Sequence, residues 1–201
     1  MPTKKAIKVF VQYIQRNDTE AALSALADDP SLALARCSSP PKKYDGQSLL
    51  HIAMRNGNSR IAIALIDAGS DVNLIEESSV NEWNSPPLHD GIEVAVWATL
   101  EQDDEFIESH LKAIEHLLKA GADPNLRDSR GATAHCRFIV NASKRVEDLY
   151  FDCNWGEANY KFKYLKQLHE LLLEHGAEPW LIDDDGNPTL TASEKKRIGI
   201  S

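Results

Sequence analysis

The sequence predicts an all-α solenoid, that is, a stack of helix-turn-helix repeats with finger loops between the units. Three related segments carry this prediction, because each follows a helix rich in leucine or isoleucine: AGSDVN at 68–73, AGADPN at 120–125 and HGAEPW at 175–180. Each segment leads within a few residues to a new turn and a new helix start. Such recurrence is typical of repeat proteins, in which each unit buries its apolar face against its neighbours.

The beginning of the chain predicts a pair of capping helices at one end of the stack. Ile7, Phe10, Val11 and Ile14 recur at the spacing of one helical face. Thr19 is a candidate N-cap for a second helix, which begins with the residues AALSALA. A terminal unit with a polar outer face is what a stack needs to shield its end from water.

Residues 45–73 form the clearest unit, a turn followed by two short helices. Gly46 lies in the opening turn, and Ser48 is a candidate N-cap whose hydroxyl accepts a hydrogen bond from a free helical amide. The segment 56–58, Asn-Gly-Asn, ends the first helix and turns the chain back. Gly69 is placed to take the left-handed conformation that closes the second helix.

These residues resemble the ankyrin-repeat family, whose unit is a β-turn and two helices with a T-P-L-H-x-A signature and a period of roughly 33 residues. The run Ser48 to Ala53 stands at the signature of the first unit, and Pro87-Leu88-His89 keeps part of it in the second. The resemblance implies that the signature histidines bond to backbone in the turns. The residues that carry the repeat signature are Gly46, Ser48, His51, Gly69, Pro87, His89, Gly121, Gly131, Thr133, Gly176 and Gly186.

The resemblance covers one domain of 201 residues and divides it into five parts. We expect capping helices at 1–44, a regular repeat at 45–83, enlarged repeats at 84–128 and 129–183, and a half-repeat cap at 184–201. Compared with the family period of roughly 33 residues, the second unit carries about 14 additional residues and the third about 22. The positions of the turns place these insertions between the paired helices.

The two insertions predict a partner-binding edge. The first, within 91–110, predicts a lengthened helix and then an acidic link; the second, within 141–162, concentrates aromatic residues among carboxylates. Insertions at the same place in consecutive units emerge side by side, and aromatic anchors ringed by charges suit a protein interface. Alternatively, the aromatic residues fold back and cover the helix ends. The candidate residues are Glu101, Asp103, Asp104, Glu105, Glu108, Asp148, Tyr150, Phe151, Asp152, Trp155 and Glu157, with Trp83 in a lengthened finger loop toward the concave surface where the family commonly binds partners.

Charge and composition exclude several classes of protein. The formal net charge of −9 disfavours nucleic acid and anionic membranes as partners, because both attract clustered lysine and arginine. The amino-terminal segment predicts neither a signal peptide nor a membrane anchor. Three cysteines at irregular spacing argue against a disulfide framework and favour a reducing compartment, and we expect a cytoplasmic monomer.

No motif in the sequence predicts catalysis. A phosphate-binding glycine loop and a nucleophile elbow are both missing from the sequence, so we expect a non-enzymatic protein without a cofactor or metal. An alternative of another class is a metal-binding or hydrolytic site that uses His135, Cys136 and Cys153. The set lacks a C-x-x-C pair and a clear fourth ligand.

The sequence therefore predicts a protein-binding module whose partner has a basic surface. An acidic chain of this size with enlarged repeats suits an immunity protein or antitoxin that neutralises a cognate toxin or effector. The alternative among binding proteins is an adaptor or scaffold that tethers its partner without inhibiting it.

Overall fold

Paired helices make up the chain in the computed structural model, which describes residues 1–38, 42–77, 84–101, 103–152 and 155–179, with the backbone alone at 100–101, 144–152 and 155–161. The helices of these ranges are α1 Lys4–Gln15, α2 Thr19–Asp28, α3 Leu49–Arg55, α4 Ser59–Asp67, α5 Pro87–Glu101, α6 Asp104–Lys119, α7 Ala134–Asp152 and α8 Trp155–Glu174. None of them is both long enough and apolar enough to cross a membrane.

The helices form two layers. Helices α1, α3, α5 and α7 lie side by side in the first layer, and α2, α4, α6 and α8 lie side by side in the second. The contacts between layers come from consecutive helices of a pair, such as α3 with α4 and α5 with α6, and also from α5 with α8. This arrangement confirms the predicted all-α solenoid of helix-turn-helix repeats.

Several helices begin with a side-chain cap, and the sequence predicts some of these caps correctly. Ser48 caps α3: its hydroxyl accepts from the backbone N–H of His51, whose ring in turn accepts from the backbone N–H of Ser48. The expectation that Thr19 caps α2 is wrong, because Asp18 accepts from the N–H of Ala21 and Thr19 is already helical. The carboxylate one residue upstream therefore satisfies the free amide.

The predicted turn residues keep their places in the described part of the chain. Pro87 is the first residue of α5, where a missing N–H costs nothing. Thr133 accepts from the N–H of Cys136 at the start of α7. The signature glycines with positive φ are Gly46, Gly69, Gly121, Gly131 and Gly176, whereas Gly186 lies outside the described residues.

Two asparagines at matching positions tie the finger loops together. The side chain of Asn73 donates to the carbonyl of Gly121 and accepts from the N–H of Asp123, at 2.9 and 2.8 Å. Asn125 repeats both bonds one unit later, to Gly176 and Glu178, at 2.8 and 2.7 Å. A carboxamide can serve both roles at once because it carries a donor and an acceptor. We call this repeated set of bonds the asparagine ladder.

The inserted residues of the second and third units lengthen helices. Helices α5 and α6 have 15 and 16 residues and α7 and α8 have 19 and 20, against 7 and 9 in α3 and α4. The lengthened first helix is confirmed. The prediction of an acidic loop after this helix is wrong. Asp103 caps α6, and the acidic residues after it form the first turn of that helix. Carboxylates are stabilised there by the positive end of the helix dipole.

Candidate partner-binding groove

The unequal helix lengths produce a step in the first layer. Helix α3 ends four residues after its signature histidine His51, whereas α5 continues for twelve residues after His89. The carboxyl-terminal part of α5 therefore extends beyond α3 by about 12 Å. No described residue of α3 covers the side of α5 that faces α3 along this overhang, and a groove lies there.

The groove encloses a cavity of about 310 Å³. Its apolar walls come from the overhanging part of α5 and from the start of α6, and its acidic base comes from the beginning of α5. Trp97 is 36% exposed, which is unusual for so large an apolar side chain. The lining residues are Arg55, Asp90, Glu93, Val94, Trp97, Ala98 and Phe106.

Phe106 closes one end of the groove against the turn between α3 and α4. Its ring lies so near Gly57 that a Cβ on that glycine would be 2.4 Å from Phe106 Cζ. Gly57 also has a φ of +69°, which L side chains rarely adopt. On the other side of Phe106 lies a second, more polar cavity of about 500 Å³, whose lining includes Asn58 and Glu105.

A small separate core holds the overhang in place. Ala98 of α5, Ile107 of α6 and Tyr164 of α8 are all buried against one another. Tyr164 also donates its hydroxyl to Glu108 Oε1 at 3.2 Å, and Lys163 Nζ lies 3.7 Å from Asp104 Oδ2. Contacts among α5, α6 and α8 therefore hold the wall of the groove in place.

A buried ion network forms the base of the groove. Arg55 donates from Nε and Nη2 to Asp90 Oδ1, at 3.0 and 2.7 Å, and from Nη2 to Glu76 Oε1 at 3.2 Å. Asp90 is 5% exposed, and Glu76 is fully buried. Among the residues that the structure describes, none forms a hydrogen bond with Asp90 Oδ2.

Burial raises the pKa of Asp90 to about 7, although the guanidinium of Arg55 opposes this shift. Glu76 and Glu93 add to the shift because each is a second negative charge near the first. Asp90 and Glu76 thus share one guanidinium, while Glu93 lies near Asp90 and is exposed at the rim of the groove. The groove has a surplus of negative charge and can favour a cation.

The acidic residues that the sequence singles out have different positions in the structure. Asp103 accepts from the N–H of Phe106 as the cap of α6, Asp104 lies near Lys163, and Glu108 accepts from Tyr164. Glu105 is exposed beside the larger cavity. The first three therefore have contacts within the protein, and their role in binding a partner stays a prediction.

For most of the other candidate residues the structure describes the backbone but not the side chain, and one of them lies outside the described residues. Glu101 ends α5, and the remaining acidic and aromatic positions lie near the end of α7 and the start of α8. Trp83 lies outside the described residues. Those at the α7 and α8 ends are Asp148, Tyr150, Phe151, Asp152, Trp155 and Glu157.

Comparison with known proteins identifies the repeat that borders the groove. Residues 45–74, which include α3 and α4, match the ankyrin repeat family. Residues 45–74 are an ankyrin repeat. No curated protein matches the sequence. Ankyrin repeats mediate protein–protein binding and are typically non-enzymatic, so the groove is best understood as part of a protein-interaction module.

The two signature histidines of the ankyrin units differ in their contacts. His51 Nε2 donates to the carbonyl of Ser85 in the next unit at 2.9 Å, so the predicted backbone bond is confirmed. His89 is also buried, but within the described part of the chain neither of its ring nitrogens makes a hydrogen bond of normal geometry. Its Nδ1 lies 3.8 Å from Asp128 Oδ2, while Arg137 binds that same oxygen at 2.7 Å.

Two residues of the alternative site, His135 and Cys136, lie within the described part of the chain. Both residues are buried at the start of α7, and His135 Nε2 lies 3.2 Å from His169 Nδ1. Cys153 lies outside the described residues. In the described ranges, no group of three His, Cys, Asp or Glu side chains is arranged to hold a metal ion.

Sequence reasoning missed the groove, although a signal for it is present. Asp90 occupies the x position of the ankyrin signature, which in the first unit is the fully buried Ile52. A carboxylate at a position that is otherwise apolar indicates a buried charge, and a buried charge needs a partner. That Arg55 is this partner follows only from the packing of α3 against α5.

Proposed function

We propose that this ankyrin-repeat protein binds and inhibits another protein with a basic surface, as an immunity protein or antitoxin does, and that the groove beside α5 is a principal contact. One observation carries the proposal: an exposed tryptophan, Trp97, lies in a concave, acidic groove at the step between a regular and an enlarged repeat. Buried aromatic anchors with an acidic rim are typical of tight protein interfaces.

Charge supports the same proposal. The whole chain has a formal net charge of −9, which speeds encounter with a basic partner. Glu93 lies at the rim of the groove and Glu105 beside the neighbouring cavity, so negative charge lies on both sides of Phe106. We include the predicted residues at the ends of α7 and α8 in the same surface, because lengthened helices of consecutive units extend side by side.

The test is capture of partners from a lysate of the native host with the full chain as bait. The groove variant is Trp97→Ala with Glu93→Gln. The control variant is Leu173→Ala with Glu174→Gln, which makes the same kinds of change on α8, where Leu173 is 37% exposed. Circular dichroism and urea unfolding establish that both variants fold.

We expect one basic protein that the unmodified chain and the control variant retain and that the groove variant loses. Binding should weaken between low and high salt, because exposed charges are screened. The activity of the captured protein should fall when the complex forms. If the captured protein stays fully active, the chain is an adaptor; if the groove variant retains it as well as the control does, the groove is not the contact.

A further inference from the structure

Asp90 gives the groove a chemical preference. In the first unit the corresponding residue, Ile52, is apolar and fully buried, so the position does not need a charge for stacking. Arg55 binds only Oδ1 of Asp90, and no residue within the described ranges binds Oδ2. A buried polar atom without a partner costs free energy. Such an atom at the base of an acidic cavity is a candidate partner for a ligand with positive charge.

The size and walls of the cavity restrict what this ligand can be. A cavity of about 310 Å³ is at the small end of ligand pockets, which range over roughly 300–1,000 Å³. It can therefore take one long side chain of a partner, together with a small apolar neighbour. Trp97 and Phe106 offer aromatic surface, on which a guanidinium stacks better than an ammonium does. Val94 and Ala98 can cover its methylene stem.

We infer that the groove receives an arginine side chain from a basic segment of the partner protein, with the guanidinium between Trp97 and the carboxylates of Glu93 and Asp90. This inference rests on the proposed function, because it names the chemistry of the partner at the same site. Arg55 remains on Asp90 Oδ1, and the incoming cation compensates for the surplus of negative charge that Glu93, Asp90 and Glu76 create at the base of the groove.

The inference has a consequence for pH. An arginine beside Asp90 favours the charged carboxylate, so the complex holds fewer protons than the free protein near neutral pH. Affinity must therefore rise with pH over the range in which Asp90 loses its proton. The charged groups that act on the pKa of Asp90 are Arg55 on α3, Glu76 in the finger loop and Glu93 on α5. If binding lowers the pKa of Asp90 by one unit, the affinity increases about fivefold between pH 6 and pH 8.

The experiment uses the full chain labelled with ¹⁵N and three acetylated, amidated peptides, Leu-Arg-Leu, Leu-citrulline-Leu and Leu-Lys-Leu. Citrulline keeps the shape of arginine without its charge, so it is the matched control. We expect the arginine peptide to shift the resonances of Glu93 to Ala98 and of Phe106, with the lysine peptide weaker and the citrulline peptide at least tenfold weaker. Asp90→Asn should remove the pH dependence while urea unfolding shows that it folds.

Equal binding of the arginine and citrulline peptides, or shifts confined to another surface, would overturn the inference. So would an affinity in the unmodified chain that does not change between pH 6 and pH 8. If the peptides fail to bind but the Trp97 and Glu93 variant still loses its partner from lysate, the arginine inference is wrong and the proposed function stands. If the arginine peptide binds but partner capture is unaffected by the variant, the proposed function is wrong instead.

Discussion

The regular unit at 45–74 and the enlarged unit built from α5 and α6 differ in the contacts that their signature histidines make. In the regular unit, His51 bonds through both ring nitrogens, to Ser48 within the unit and to the backbone of Ser85 in the next. In the enlarged unit, His89 is buried without such bonds among the described residues, and Asp128 and Arg137 form an ion pair beside it. The backbone partner of such a bond does not depend on side-chain identity, whereas both partners of an ion pair do.

The comparison teaches where new function can arise in a repeat protein. The regular unit leaves little room for change because its signature residues are all committed to turns and caps. The enlarged unit holds its extra length with a separate small core of Ala98, Ile107 and Tyr164, outside the main stack. Its overhang then creates the groove at the boundary of the two units, and the exposed residues of the overhang lie outside the main stack.

Acidification should produce the largest effect and should act on both units. Burial lowers the pKa of His51 to about 3 and those of His89, His110 and His135 each to about 4. A histidine with a depressed folded-state pKa contributes stability above its ordinary pKa of 6.5, and that stability is lost as the pH falls toward 4. We expect a loss of up to about 3 kcal/mol for each such residue, measured by urea unfolding from pH 7.5 to pH 4.5.

Asp90 changes this pH profile in the opposite direction and so provides the control. Its folded-state pKa of about 7 lies above its ordinary 3.8, so the folded state holds more protons than the unfolded chain between those values. Its contribution to stability therefore increases as the pH falls through that window. Asp90→Asn removes this contribution, and its stability should fall more steeply with acid than that of the unmodified chain. Parallel profiles would contradict the shifted pKa.

The next largest effect should separate the two signature histidines. His51→Ala removes two ring hydrogen bonds and leaves a cavity, at a cost of about 3 kcal/mol, although the carbonyl of Ser85 keeps the N–H of Glu76 as a donor. His89→Ala leaves a cavity but breaks no ring hydrogen bond of normal geometry in the described residues, so we expect a smaller loss of about 2 kcal/mol. Urea unfolding at pH 7.5 measures both. Equal losses would show that the two units stack alike.

A smaller effect should distinguish two glycines of the regular unit. Gly57 and Gly69 both have positive φ, so an alanine at either position costs about 1–2 kcal/mol from backbone strain. Only at Gly57 would the new Cβ meet a neighbour, Phe106, whereas nothing lies within 4 Å at Gly69. Gly57→Ala should therefore destabilise the protein more than Gly69→Ala, by thermal unfolding, and should shift the NMR resonances of the groove. Equal effects at both positions would mean that Phe106 moves aside freely.

The regular unit could be predicted almost completely from the sequence. The cap at Ser48, the turn at 56–58 and the stop at Gly69 each follow from local chemistry that does not depend on the rest of the fold. The apolar spacing over 92–99 likewise predicts the lengthened α5. Local signals of this kind are reliable because the residues that form the structure are neighbours in the chain.

The groove could not be predicted in the same way, because its parts come from distant positions. The apolar period of α5 shows which residues share a face, but not that α3 ends too early to cover them. Carboxylates near the start of α6 suggest an exposed acidic surface, yet Asp103 caps its own helix and Glu108 bonds with Tyr164, which lies 56 positions later. Whether a carboxylate is exposed or bonds within the protein is decided only by the packing of the helices against one another.

The asparagine ladder has a mechanical consequence for the whole stack. It links the finger loops of consecutive units through Asn73 and Asn125, at one end of the helices. The other end, where Gly57 meets Phe106, contains the two cavities and is joined mainly by side-chain contacts. Bending of the stack therefore has the smallest free-energy cost when the bending axis runs along the asparagine ladder. The width of the groove follows the curvature of the entire protein, so an occupant that fits the groove also selects one curvature.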